Sequence, residues 1–513
     1  MTKYVLGIDA GTESIRSGVF DEKGKCLAFA ASENKNIHRH PGWGEQNIMQ
    51  WEQGLTESIR EAVTKSGVDP SLICGIGVDG TSCTVVVLDE EGAPLRDAIM
   101  WMDIRAAAEA VEIGECGDDA LEYVGFGKVS PEWFPCKLLW LKRHENETYR
   151  KAGTFFEHTD WMVYKLTGEI TGNINTTTIR WFYNSKKGGF PESLYRKIQL
   201  EEALERFPER IVRIGETAGT LTKEMAEATG LTPGIPVAGG GADAYMGVVG
   251  VNALKPGKLA LITGSSQLHI GLSDKELHAP GIFGSFPDAI LPGVEVVEAG
   301  QISTGSILKW FTTNFINHGI QKIAEERGNS IYEVLGEAAQ SIPPGSEGLI
   351  VLEHWQGNRT PWVDAASRGV IRGFTLKHTP AHVFRAIMEG VVYGTQVILK
   401  RFEENKYFVD EIIACGGATR SPLWMQIHAD VTGKRITIPE EQEAVTLGSA
   451  IAATVAAGIY PDLNQAAKSM VAIARVIEPN LKTTAYYDEF VRQYIATYEN
   501  LKEDSRKLVD YIE

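Results

Sequence analysis

The sequence predicts an α/β chain built as two similar halves that face each other. Three observations carry this. Strand-like and helix-like segments alternate along the chain. One pattern, an apolar run that turns through small and hydroxyl residues and returns as a second apolar run, occurs in both halves. The length of 513 residues allows more than one domain and a large core.

The first copy reads Tyr4-Val5-Leu6-Gly7-Ile8-Asp9-Ala10-Gly11-Thr12-Glu13-Ser14, with Ser17-Gly18-Val19-Phe20 returning. The second reads Lys258-Leu259-Ala260-Leu261-Ile262-Thr263-Gly264-Ser265-Ser266, with Gln267-Leu268-His269-Ile270-Gly271 returning. Such a turn exposes backbone N–H groups with little side-chain bulk, which suits phosphate oxygens. Two of them suggest two lobes gripping one polyphosphate, hence a nucleotide-dependent transferase or hydrolase.

In the first half, residues 4–9, 17–21 and 26–31 read as a β-meander. Residues 47–66 read as an amphipathic helix, with Ile48, Trp51, Leu55, Ile59 and Val63 on one face. Residues 74–79 and 84–89 read as strands, and 135–145 and 161–166 as helices. In the second half, 236–239 reads as a strand opening into a glycine-rich turn, and 259–263 with 267–272 as a hairpin. Helices are expected at 305–315 and 330–341. A long helix over 380–404 leads to a strand at 411–415, a glycine step and a helix over 422–432. Gly, Asn and Pro cluster at 248–258, so the halves are expected to be 1–250 and 251–513. Nothing is low-complexity, and disorder is expected only in the last few residues.

Composition narrows the partners. A formal charge of -17 argues against nucleic acid, whose phosphate backbone needs a basic surface. It leaves nucleotide binding open, because a local nest of N–H groups holds phosphates within an acidic protein. The six cysteines are scattered without a C-x-x-C pair, so neither a structural zinc site nor a disulfide framework is expected. No apolar run approaches a membrane span of about 20 residues. The chain opens on a strand without a basic-then-apolar leader, so a cytoplasmic location is expected.

Several short motifs carry chemistry. Asp9 ends an apolar strand ahead of Gly11-Thr12, where a carboxylate can hold Mg²⁺ near phosphates, directly or through water; the plainer alternative is a turn aspartate bonding its own backbone. Arg16 is close enough in sequence to reach a phosphate. Gly239-Gly240-Gly241-Ala242-Asp243-Ala244 sets one carboxylate among residues of almost no bulk, which suits a general base taking a proton from an attacking hydroxyl; a helix-capping aspartate is the alternative. Cys415-Gly416-Gly417-Ala418-Thr419-Arg420-Ser421 lies between strand and helix and offers a ledge for a flat base such as adenine, or a simple structural turn. Gly75-Ile76-Gly77-Val78-Asp79-Gly80 has G-x-G-x-x-G spacing, but a strand follows it, so a dinucleotide site is rejected. No P-loop motif occurs. Polar and aromatic residues meet at Trp101-Met102-Asp103, Arg180-Trp181 and Glu298-Ala299-Gly300-Gln301, a mixture that grips sugar hydroxyls and packs on C–H faces.

Assembled in this order, these residues resemble the FGGY carbohydrate kinases of the sugar kinase/Hsp70/actin superfamily. The resemblance covers nearly the whole chain. It adds the signature region 348–373 with Gly357-Asn358-Arg359-Thr360-Pro361, and Ser421-Pro422-Leu423-Trp424 after the adenosine motif. The ribulokinase-like branch is the most similar, through Gly77-Val78-Asp79-Gly80-Thr81, Val129-Ser130-Pro131-Glu132-Trp133, Lys137-Leu138-Leu139-Trp140 and Pro280-Gly281-Ile282. Two departures bear on the substrate. Tyr245 stands where that branch usually has His, and Arg180 where it often has Lys.

The resemblance implies two actin-like (ribonuclease H-like) lobes with a central cleft, and Mg-ATP and a sugar as ligands. It implies Asp243 as catalytic base and Asp9 as the magnesium residue. ATP contacts are implied at Gly11, Thr12, Glu13, Arg16, Gly264, Ser265, Ser266, Gly305, Gly416, Gly417 and Ser421. Sugar contacts are implied at Asp79, Gly80, Trp101, Asp103, Glu132, Arg180, Asp243, Glu298 and Gln301. D- or L-ribulose is the first expectation, with xylulose, erythrulose, erythritol or another polyol behind, and a homodimer is a family-level expectation. An Hsp70-like switch would carry a separate peptide-binding domain. A non-catalytic sugar sensor would be expected to lose Asp9, Asp243 or the glycine motifs, all of which are present.

Overall fold

The computed structural model describes residues 2–125, 128–279 and 281–512, so Pro280, named above, lies outside the described residues. The first half supplies β1 (Tyr4–Ala10), β2 (Ser14–Asp21), β3 (Cys26–Glu33), α1 (Ile48–Ser66), β4 (Ile73–Gly80), α2 (Phe134–His144), α3 (His158–Thr167), α4 (Ile174–Arg180), β5 (Thr217–Thr220), β6 (Pro236–Ala238) and α5 (Asp243–Gly250). The second supplies β7 (Lys258–Thr263), β8 (Gln267–Ser273), β9 (Gly284–Pro287), β10 (Glu295–Gln301), α6 (Gly305–Asn314), α7 (Pro380–Glu404), β11 (Glu411–Gly416), α8 (Pro422–Thr432), β12 (Arg435–Pro439), α9 (Ala444–Ala456), β13 (Ile473–Ile477) and α10 (Leu481–Ile512).

The strands form two large sheets with one local plan. The first runs β5-β6-β4-β1-β2-β3, and the second β9-β10-β8-β7-β11-β12-β13. In each, an antiparallel hairpin (β1/β2, β7/β8) lies beside a parallel strand (β4, β11). The hairpin strands carry near-continuous apolar runs because helices cover both sheet faces. Local chemistry sets the ends of α1. Asn47 is its N-cap and accepts the N–H groups of Met49 and Gln50, and Gly67 closes it in the left-handed conformation. The helix therefore starts one residue later than the periodicity suggests.

The glycine-spaced segment 75–80 is the strand β4, and its glycines serve packing. Helix α9, from the second half of the sequence, lies across β1, β4 and α5. A Cβ at Gly77 would stand 1.9 Å from the Ser449 carbonyl oxygen, and one at Gly7 2.2 Å from that of Thr446. The same holds between the helices: a Cβ at Gly250 would stand 1.7 Å from the Ala444 oxygen. Backbone meets backbone here because no side chain intervenes. The sequence expectations include neither α9 nor the 32-residue α10, which keeps the chain helical to Ile512.

Candidate active site

Three carboxylates converge where parallel strands end, the usual ligand edge of an α/β sheet. Asp9 on β1 is the register partner of Asp79 on β4. The next residue, Gly80, bridges to Ala242 and donates its N–H to the Gly241 carbonyl at 3.2 Å. That contact brings Asp243, the first residue of α5, alongside. Asn175 on α4 fixes the approach by accepting the Ala242 N–H at 2.9 Å.

The three acids have different environments. Burial raises the Asp9 carboxyl, against Arg16, its cross-strand partner, whose Nη1 lies 3.1 Å from Asp9 Oδ2. Burial raises Asp79 well above the carboxylate range, and neighbouring Asp9 raises it further, although Asp79 Oδ2 accepts the Ser449 hydroxyl at 2.5 Å. Two adjacent buried carboxyls resist ionising together, and the stronger upward push falls on Asp79, since Arg16 favours the charged form of Asp9. Asp243 is pushed up to about 6 by burial and then by Asp9, offset by the Ala244 N–H and by Arg16. Arg16 Nη1 also lies 3.8 Å from Glu443 at the start of α9.

Both hairpin turns present N–H groups. In the first, Asn34 Nδ2 donates to the Gly11 carbonyl, the Asn34 N–H to that of Glu13, and Gln46 Nε2 to that of Thr12. The Thr12 and Glu13 N–H groups have no acceptor among the described residues. The Glu13 carboxylate points aside to Asn36. In the second turn, Gly264 donates to the Ser266 carbonyl at 2.8 Å, and the Ser265 carbonyl takes the N–H groups of Thr304 and Ser306. Gly305 is tied to this turn: a Cβ there would lie 2.4 Å from the Gly264 oxygen. Gly416, at φ +90, abuts the Thr263 carbonyl, while Gly417 borders open space. Ser421 caps α8 through the Trp424 N–H.

A second polar group lies along α5, α4 and β10. Arg180 Nη2 reaches both Glu298 oxygens at 3.1 and 3.0 Å, and the Tyr245 hydroxyl donates to Glu298 at 2.6 Å. Trp101 is part-exposed and donates its indole N–H to the Thr12 hydroxyl at 2.9 Å, so it stands over the first turn. Glu132 is half-buried beside Ser130.

Three expected sugar contacts have their polar atoms engaged by other protein groups. Asp79 is fully buried between Asp9 and Ser449. Asp103 is fully buried, with both oxygens taken by Arg105 and the Gly44 N–H. Gln301 bonds Glu353, the Val391 carbonyl and Thr395 inside the second half. Asn175 and Ser449 were missed, since neither belongs to a recognisable motif.

Among the described residues no three His, Cys, Asp or Glu are arranged to chelate a metal. A lone charged Asp9 fits Mg²⁺, which keeps water and substrate phosphates as most of its ligands. No helix among the described residues is long and apolar enough to cross a membrane.

The N-terminal domain model of the FGGY family of carbohydrate kinases matches residues 4–250, and the C-terminal domain model matches residues 259–457. The chain is similar to a ribulokinase of Geobacillus thermodenitrificans, 34% identical over 545 residues covering 99% of this chain and 94% of the other. A ribulokinase of Halalkalibacterium halodurans is also 34% identical, over 99% of this chain and 95% of its own. Among solved structures, a xylulose kinase from Rhodospirillum rubrum superposes with a TM-score of 0.86 at 25% identity, covering 98% of this chain and 100% of that one.

Proposed function

The chain belongs to the FGGY family of carbohydrate kinases, and we propose that it transfers the γ-phosphate of ATP to a terminal hydroxyl of a ketopentose, ribulose first. The observation that carries this reading is Asp243: a carboxyl pushed up to about 6, at the start of α5, near enough to Asp9 to feel its charge and two residues before Tyr245, which bonds Glu298. A base with that pKa is ionised at neutral pH yet basic enough to accept a hydroxyl proton as the C–O–P bond forms.

Asp243 takes the proton of the terminal hydroxyl while that oxygen attacks the γ-phosphorus, and ADP leaves. The N–H groups of Thr12 and Glu13 next to Gly11, and those of Ser265 and Ser266 next to Gly264, hold phosphate oxygens. Arg16 exchanges its contact with Asp9 for a phosphate. Gly305 keeps the second turn close to α6, and Gly416, Gly417 and Ser421 flank the adenosine. Magnesium entering with the nucleotide supplies charge neutralisation at the phosphate oxygens, and Asp9 would hold it, directly or through water. Gly80, Trp101, Glu132, Arg180 and Glu298 surround the sugar, while Asp79 supports Asp9 instead of meeting the sugar.

Ribulose leads because the ribulokinases match this chain nearly end to end at 34% identity. Xylulose follows from the xylulose kinase superposition. The test is ADP release with Mg-ATP on D- and L-ribulose, D- and L-xylulose, erythritol, L-erythrulose, L-fuculose and glycerol. Turnover on a ribulose supports the reading; preference for a tetrose-derived substrate or glycerol overturns it.

A further inference from the structure

The turn after β4, residues 81–84, contains a strained residue that no motif explains. Cys83 has φ +64, the left-handed region that side chains other than Gly, Asn and Asp rarely adopt. Two fully buried charged side chains hold it there. Glu157, just ahead of α3, accepts the Cys83 N–H on one oxygen and the Thr84 N–H on the other, both at 3.0 Å. Lys137 on α2 donates to the Cys83 carbonyl at 2.7 Å. Neither makes a salt bridge to a described residue, so one peptide unit separates the ammonium from the carboxylate.

The same two side chains reach the other segments around the site. Lys137 also donates to the carbonyls of Met100 at 2.7 Å and Trp101 at 3.3 Å. Glu157 also accepts the indole N–H of Trp181, the neighbour of Arg180, at 2.9 Å. The turn itself follows Gly80, which is bridged to the residue before Asp243. Arg180 lies close enough for its charge to act on the Cys83 thiol.

We propose that Lys137 and Glu157 are positioning residues for the phosphate acceptor: by clamping the strained Cys83 peptide between them, they fix the sugar-side wall formed by residues 81–84, Trp101 and Arg180. The inference rests on the sugar-kinase reading of the site. A buried cation satisfied only by carbonyls, opposite a buried carboxylate satisfied only by N–H groups, is stable while both remain, and losing one leaves the other uncompensated. Neither residue bonds a phosphate turn itself, and Lys137 meets the first one only at one remove, through Trp101, so the main effect falls on the acceptor.

The test uses Glu157→Gln, Lys137→Met and the double variant, with KM measured separately for the sugar and for ATP. Glutamine offers one acceptor oxygen, so one clamped N–H loses its partner. Each single variant is expected to raise the sugar KM by about tenfold or more and to leave the ATP KM within about twofold, and the double to lose less than the product of the two. If a single variant does not fold, the double, which carries no unpaired buried charge, is the one read. Adding Cys83→Gly to Glu157→Gln is expected to recover most of the sugar KM, since glycine adopts positive φ without the clamp. An unchanged sugar KM in the folded variants, equal movement of both KM values, or no recovery with glycine overturns the inference while leaving the kinase reading intact. No turnover by the wild-type enzyme on any sugar overturns both.

Discussion

At the scale of single residues, the proposed chemistry depends on how three aspartates divide one environment. Burial pushes Asp79 up furthest, Asp9 is also pushed up but with Arg16 opposing, and Asp243 is pushed up to about 6. A general base works only when ionised, so kcat/KM for the sugar is expected to fall below a pH of about 6 and to level off above it. A pH–rate profile with no acid limb between about pH 5 and 7 would contradict this. Asp9 and Asp243 were legible in the sequence, each two residues from a glycine, whereas Asp79 entered only through the family resemblance. Their roles were only partly legible. Asp79 reads like a ligand until the register with β1 sets it against Asp9 and Ser449 covers it. Glu298 and Gln301 read as one cluster, but three residues along a strand puts them on opposite faces. Glu298 faces Arg180, and Gln301 is bonded into the interior. Parity alone would have separated them.

At the scale of elements, the hairpins and the helix over 380–404 follow their periodicity, and the structure returns that helix with the expected limits. Helix α9 escaped notice because its sequence, Ala444-Val445-Thr446-Leu447-Gly448-Ser449-Ala450-Ile451-Ala452-Ala453, is small and apolar all round. A helix buried on every side has no polar stripe for the pattern to show. Its contacts reveal what those small residues do, and what the rejected glycine fingerprint does as well. Gly77→Ala would drive a methyl into the Ser449 carbonyl, 1.9 Å from the ideal Cβ position. We expect that change to destabilise the protein by about 2 kcal/mol or more, because overpacking shifts backbone on both sides. Gly67→Ala is a control of a different kind, since nothing lies within 4 Å of its Cβ but its φ is +65. It is expected to cost about 1 kcal/mol from the lost left-handed cap alone. Denaturant midpoints compare the two, and equal losses would contradict the packing account.

At the scale of the whole molecule, the same hairpin occurs in both large sheets, and the proposed reading makes a polyphosphate the ligand that engages both turns. A nonhydrolysable ATP analogue with Mg²⁺ at about 100 times its Kd is therefore expected to stabilise the fold by about 2.7 kcal/mol, read as a rise in Tm. Gly305→Val, which forces a side chain against the Gly264 carbonyl, is expected to abolish that rise. A full rise in the variant would remove the second turn from the nucleotide site. The central claim is that Asp243 accepts the sugar proton during phosphoryl transfer. It is tested most directly by turnover of Asp243→Asn on the best sugar of the panel, with analogue binding measured alongside. Asparagine preserves shape and removes the base, so kcat is expected to fall by about 10²- to 10⁴-fold while the analogue binds as in the wild type. Near-normal turnover in that variant would contradict the account.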